Sequence, residues 1–273
     1  MISIWHWHTE PALLGGILLV AWIYLALVGP LRDWISPLTE FPRRESFWFV
    51  MAVIWFYIAV GSPLDALGEN YLFSAHMLQH MVLMYPVALF TIWAIPQWLV
   101  DGLLAKSRLA TGVCRILLHP VTAGVSFTFV FTIWHFPALY EAALHNKRLH
   151  MLEHLTMYLV SIQMFWPIWS RSKTIPRMHC GMHPIYIFLL MVAQLPLFAI
   201  LTFATEVLYP TYELAPRVID LEPLPDQVLG GLIMKVSNMI VSLIAIGRAF
   251  YFWYQESNAP SDAELALAKA RAT

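Results

Sequence analysis

The sequence predicts an all-α polytopic membrane protein, a bundle of about seven transmembrane helices, and three observations carry that prediction. Hydrophobic residues make up 59% of the chain and charged residues only 12%, where a soluble domain carries about a quarter charged residues. The apolar residues fall into separate stretches, each near the roughly 20 residues a helix needs to cross a bilayer. Lys and Arg gather on alternate connections between those stretches.

The stretches run at about 12–30, 46–62, 74–95, 120–135, 152–170, 184–205 and 228–253. The fourth is short and could begin earlier, near Arg115. Pro11, Pro120 and Pro184 stand at starts, where a missing N–H costs least. Pro86, Pro167 and Pro196 fall inside, where they should kink the helix and open space between neighbours. Residues 1–10 carry no Lys or Arg. The first stretch is therefore expected to stay in place as a helix rather than be removed as a signal peptide. Residues 1–256 read as one transmembrane domain and 257–273 as a short, Ala-rich cytoplasmic tail.

Direction follows from the basic residues. Of the 16 Lys and Arg, twelve fall on one set of connections: Arg32, Arg43, Arg44, Lys106, Arg108, Arg115, Arg171, Lys173, Arg177, Arg248, Lys269 and Arg271. Lys147, Arg148 and Arg217 fall on the other set, and Lys235 lies within the last stretch. The positive-inside rule then puts residue 1 outside and the C-terminus in the cytoplasm of a bacterial inner membrane. The formal net charge of −1 leaves no basic surface for nucleic acid. Two cysteines, Cys114 and Cys180, are too few for a disulfide framework.

With that topology most of the histidines lie toward the outer face, together with many carboxylates and few cations. Such a distribution suits a metal site, because positive neighbours would oppose binding. His76 and His80 open the third stretch at i, i+4, so both rings project from one helix face toward a single ion. Met77, Met81 and Met84 flank them, and thioethers are soft donors suited to Cu(I). His150 and His154 open the fifth stretch at the same spacing, with Glu153 between them, and His135 closes the fourth. Single polar residues hydrogen-bonded inside the bundle would account for each histidine separately. Three helix ends presenting imidazoles at one level favour a shared site.

Other features are less directed. Asp226, Gly230 and Met234 share a stripe on the seventh stretch. Glycines there let another helix approach closely, and Asp226 suits capping as well as ligation. Lys235 is costly to bury and must pair or reach water. Met178 to His183 holds soft donors but reads as a polar loop. His6, His8 and His145 read as exposed, although the His6-Trp7-His8 run could supply a ligand.

Five elements occur together in order: Gly61 to Asp65, Ser74 to His80, His135 to Tyr140, His150 to His154, and Asp226 to Met234. In this the chain resembles the CtaG-like family of integral-membrane cytochrome c oxidase assembly factors, from about Trp5 to Arg248. The resemblance implies a part in maturing a haem-copper oxidase, with copper as the implied metal. It also implies oxidase subunits, membrane lipid and a periplasmic copper donor as partners. His76, His80, His135, His150 and His154 are the candidate metal ligands, with Asp65 and Asp226 as auxiliary ligands.

Two other readings remain open on the residues alone. An intramembrane zinc hydrolase also places His and Asp at helix ends, with a carboxylate as base. Glu153 suits that role by composition, although its neighbour His154 points about 100° away around the helix. A scaffold that binds nothing is the other. A bis-histidine haem protein would need its histidines near mid-span, which these are not.

Overall fold

A computed structural model describes residues 5–37 and 39–258. The expected tail at 257–273 lies outside the described residues apart from its first two. The described residues form helices and connections only. In chain order they are α1 (Pro11–Val28), α2 (Arg32–Ile35), α3 (Arg43–Gly61), α4 (Pro63–Asn70) and α5 (Phe73–Val82). A π-helical turn, Leu83–Val87, leads into α6 (Ala88–Ala94), α7 (Gln97–Ala105), α8 (Arg108–Leu117) and α9 (Pro120–Trp134). Then come α10 (Pro137–His145), α11 (Lys147–Trp169), a 3-10 turn at Cys180–Met182, α12 (His183–Thr202), α13 (Pro210–Leu214) and α14 (Pro223–Ser257).

Prolines punctuate this order. Pro11, Pro63, Pro120, Pro137, Pro184, Pro210 and Pro223 all stand in a helix's first turn, where their fixed φ suits the helix and no N–H is missed. Pro86 sits inside the π-helical turn that joins α5 to α6. The proline cannot donate to the helical ladder, and the wider turn is how the chain accommodates that. Pro167 and Pro196 lie inside α11 and α12, both of which remain continuous.

Five stretches are long and apolar enough to cross a membrane: Pro11–Val28, Arg43–Asn70, Phe73–Ala94, Cys180–Thr202 and Pro223–Gln255. α8 and α9 supply a sixth if taken together, bent by 62° at their break. α11 occupies the place expected for the fifth span and is 23 residues long, yet it is too polar to count by apolarity. The residues responsible, His150, Glu153 and His154, lie on the face that α11 turns into the protein.

α1 shows what the outer surface meets. Its mean hydropathy is 2.3 and only 11% of it is buried, so an almost wholly apolar helix lies open around most of its circumference. Such a surface is compatible with lipid and not with water. The chain is a multi-pass membrane protein.

Inside, α14 packs between α5 and α12, while α11 packs against α9 and α6. Two adjacent glycines make the α14 contacts possible. A Cβ on Gly230 would stand 2.4 Å from the Phe73 ring, and one on Gly231 would stand 3.1 Å from Leu201 Cβ. The stripe of Asp226, Gly230 and Met234 thus faces α5.

The helices alternate in direction, and four contacts show which ends meet. The His8 amide donates to Gly61 O (2.8 Å), joining the start of α1 to the end of α3. Asp226 binds the start of α5 from the start of α14 (2.7 Å to the Phe73 amide). His150 at the start of α11 lies 2.7 Å from Glu69 near the end of α4. The Tyr209 hydroxyl, beyond α12, donates to His135 O at the end of α9 (2.9 Å). All of these ends therefore gather at one end of the bundle, and the site lies there.

At the other end Asp101 of α7 clamps the loop after α11, accepting from Ser172 Oγ (2.6 Å) and from the amides of Lys173 and Thr174. The Met178 to His183 run is also structural. His183 Nε2 lies 3.1 Å from Met178 O, and His179 Nδ1 accepts from the Gly181 amide. Both imidazoles help close the chain onto α12, and His183 Nδ1 is left without a partner.

Candidate metal centre

The five candidate histidines meet. His76 and His80 are one turn apart on α5, with their Nε2 atoms 2.9 Å apart. The His150 ring lies 5.3 Å from that of His76, His154 lies 5.0 Å from His80, and His135 lies 6.2 Å from His80, centroid to centroid. They come from three helices at one level. The spacing at i, i+4 places each pair on one face, and the reversal of direction between neighbouring helices brings the faces together.

The cluster is buried. His76 and His80 have no exposed surface and His135 is 2% exposed, so these are interior groups close to one end of the bundle rather than surface ligands. Buried polar atoms in native proteins nearly always have a partner, and here many do not. His135 Nδ1 lies 2.6 Å from Phe131 O, and its Nε2 has no partner. His150 Nδ1 lies 2.7 Å from Glu69 Oε1, and its Nε2 has none. His154 Nε2 is also without a partner. In His135 and His150 one ring nitrogen is fixed by an oxygen while the other is left bare, the arrangement that orients a histidine toward a metal.

Glu153 belongs to the same set. It is 1% exposed, its Oε1 lies 3.8 Å from His80 Nε2, and neither oxygen has a hydrogen-bond partner. The ligand atoms of His76, His80 and Glu153 lie within 4.8 Å of one another, and so do those of His76, His150 and His154. Two donors on one ion, each about 2 Å from it, stand about 3 Å apart, and the His76–His80 separation matches that. Glu153 and His150, three residues apart, share a helix face, and that face brings Glu153 to His76 and His80.

The carboxylates expected as auxiliary ligands do different things. Asp226 is 1% exposed and accepts from the amides of Phe73 (2.7 Å) and Ser74 (3.2 Å) and from the Ser74 hydroxyl. It therefore caps α5 from another helix. Glu222, outside the candidate list, occupies the N-cap position of α14 itself. Asp65 accepts from Gln79 Nε2 and lies 3.0 Å from His8 Nε2. It holds α5 in place one residue before His80. Met77, expected to flank the site with a soft donor, turns the other way, and its Cγ faces Gly230 on α14.

Two further devices close the site. Gly68 on α4 allows close approach to α5, since a Cβ there would stand 2.9 Å from His76 Cα. An aromatic cover lies beside His76. The Tyr140 ring is 5.2 Å from that of His76, the Tyr140 and Tyr212 hydroxyls are 2.9 Å apart, and Tyr212 donates to Gly68 O (2.7 Å).

The fold and the site together define a class: a helical membrane protein with a buried imidazole-and-carboxylate centre near one end of the bundle. The cytochrome c oxidase caa3 assembly factor family (Caa3_CtaG) matches residues 22–256, and the chain belongs to that family. No curated protein and no solved structure matches the chain. Membership indicates a cytochrome c oxidase assembly factor, and such a role implies association with the oxidase.

Proposed function

We propose that this assembly factor holds copper in the buried cluster and passes it to a haem-copper oxidase during maturation. In this reading seven helical segments cross the bacterial inner membrane, with residue 1 outside and the C-terminus in the cytoplasm. The site then faces the periplasm, where a copper donor and the oxidase subunits can reach it. The observation that carries the reading is the convergence of the ligand atoms of His76, His150 and His154, and of His76, His80 and Glu153, within 4.8 Å, with bare ring nitrogens on His150 and His154 and on His135 beside them. Each unpaired buried group costs about 1–3 kcal/mol, and a bound cation offsets that cost for the whole set.

His76, His80, His135, His150 and His154 would hold the ion, which supplies the oxidase with its redox-active metal. Glu153 is the carboxylate within the set and would balance the charge of the ion. Glu69 and Phe131 O keep His150 and His135 in orientation. The tyrosine cover excludes water while the site is closed.

Glu153 also favours a second reading. A buried carboxylate with two unpartnered oxygens beside a histidine set is what a zinc hydrolase uses to activate water. The donors are nitrogen and oxygen, which bind zinc as well as copper. One double variant, His76→Ala with His80→Ala, separates the two in cells that express the oxidase. Copper delivery predicts stable, inserted protein together with an oxidase of low copper content and low activity, partly restored by added copper. A hydrolase predicts normal oxidase copper and accumulation of an uncleaved amide or ester lipid. Normal copper loading with stable variant protein would overturn the copper reading.

A further inference from the structure

A second group of ligands lies outside the buried centre. Residues 6–10 precede α1 outside any helix, and three potential ligands alternate along them, His6, His8 and Glu10. Their ligand atoms lie within 4.8 Å of one another, the His6 and His8 rings are 4.8 Å apart, and His8 Nδ1 is 2.8 Å from Glu10 Oε1. That last contact is a hydrogen bond between the two groups, and the same atoms are near enough to reach one ion. The other ring nitrogen of His8, Nε2, lies 3.0 Å from Asp65 Oδ2. The two lie at ion-pair distance without the geometry of a hydrogen bond, and a carboxylate so placed favours a cation on the ring's other nitrogen.

The segment is held in place. The His8 amide donates to Gly61 O, the Tyr57 hydroxyl donates to His8 O (3.1 Å), and Trp7 stacks on Tyr57. His6 is exposed while His8 and Glu10 are half-buried, so the group is open to solution, unlike the buried cluster.

We propose that His6, His8 and Glu10 form a second metal site, an outer acceptor for a divalent borderline ion. Two imidazoles and a carboxylate take copper(II) ahead of zinc, following the general order of divalent affinities. The site is wired to the buried centre through α4. Asp65 and Glu69 are one turn apart on that helix and share a face. Asp65 meets His8, and Glu69 meets His150 of the buried cluster. The two carboxylates thus form a short negative path from an exposed ligand set to an enclosed one. The relay rests on the buried centre holding metal; the outer site does not.

The test uses the purified full-length protein in detergent, titrated with copper(II) and separately with zinc(II). The variant is His6→Ala with Glu10→Gln, which leaves His8 and its anchoring contacts intact. The wild type should bind a second, more weakly held equivalent, whose affinity falls by on the order of tenfold or more in the variant. Equal stoichiometry and affinity in the two proteins overturn the outer site. If the outer equivalent is lost but the buried equivalent loads at an unchanged rate, the site stands and the relay falls. If His76→Ala with His80→Ala removes no metal from the wild type, the copper-delivery reading fails, while the outer site is still decided by the first comparison.

Discussion

His150 and Glu69 face each other across the gap between α11 and α4, with Nδ1 of the one 2.7 Å from Oε1 of the other. The contact does two things. It ties α11, which bears two of the five cluster histidines, to α4, and it leaves the Nε2 of His150 bare. Glu69 is partly exposed while His150 is nearly enclosed (side chains 35% and 8%), so this pair marks the boundary between solvent and site.

Glu69→Ala should therefore weaken metal binding without removing a ligand. Loss of such a supporting carboxylate typically costs about 10–100-fold in affinity. Titration of detergent-purified protein with copper checks this, alongside thermal unfolding to show that the fold survives. Unchanged affinity would mean that His150 does not bind metal through Nε2.

Asp226 offers the opposite test. Its oxygens are taken up by the start of α5, and loss of a capping group costs about 0.5–2 kcal/mol. Asp226→Ala should lower the unfolding temperature while the metal stoichiometry stays that of the wild type. A lost equivalent of metal with unchanged stability would make Asp226 a ligand after all.

Gly68 tests how closely the site depends on helix approach. An added methyl would meet the backbone of His76, 2.9 Å from Cα, and backbone cannot swing aside as a side chain can. Gly68→Ala should cost about 1–3 kcal/mol of stability, as overpacking does, and should weaken metal binding by displacing His76. Gly15→Ala is the control, because no atom lies within 4 Å of the added group, and it should be neutral in both measurements.

The topology can be read from the two ends of the bundle. With Cys114 and Cys180 replaced, single cysteines at Asn70 and at Lys106 should react with a membrane-impermeant reagent from opposite sides, Asn70 from the periplasm. Labelling of both from one side would overturn the orientation and leave the buried cluster out of reach of a periplasmic donor.

Much of this was legible in one dimension because two periods carry it. A run of about 20 apolar residues has only one stable form in lipid, so the positions of α1, α3, α5 with α6, α12 and α14 could be read directly. Histidines at i, i+4 share a helix face whatever surrounds them, so His76 with His80, and His150 with His154, were visible as pairs. The family resemblance rested on those same elements.

What only the tertiary structure decided is which side chains face which. Glu153 enters the cluster because α11 turns its polar face toward α5. His8 leaves solvent because the chain before α1 is tied to Gly61 and Tyr57, and Asp226 becomes a cap because Gly230 lets α14 approach α5. Met77 leaves the site for the same reason, since the face of α5 that meets α14 lies beside the face that carries the histidines. Hydropathy and periodicity describe one helix at a time and assign a residue to a face. Which neighbour that face meets depends on the rotation and close approach of helices far apart in sequence, and these are set by small residues and buried polar contacts.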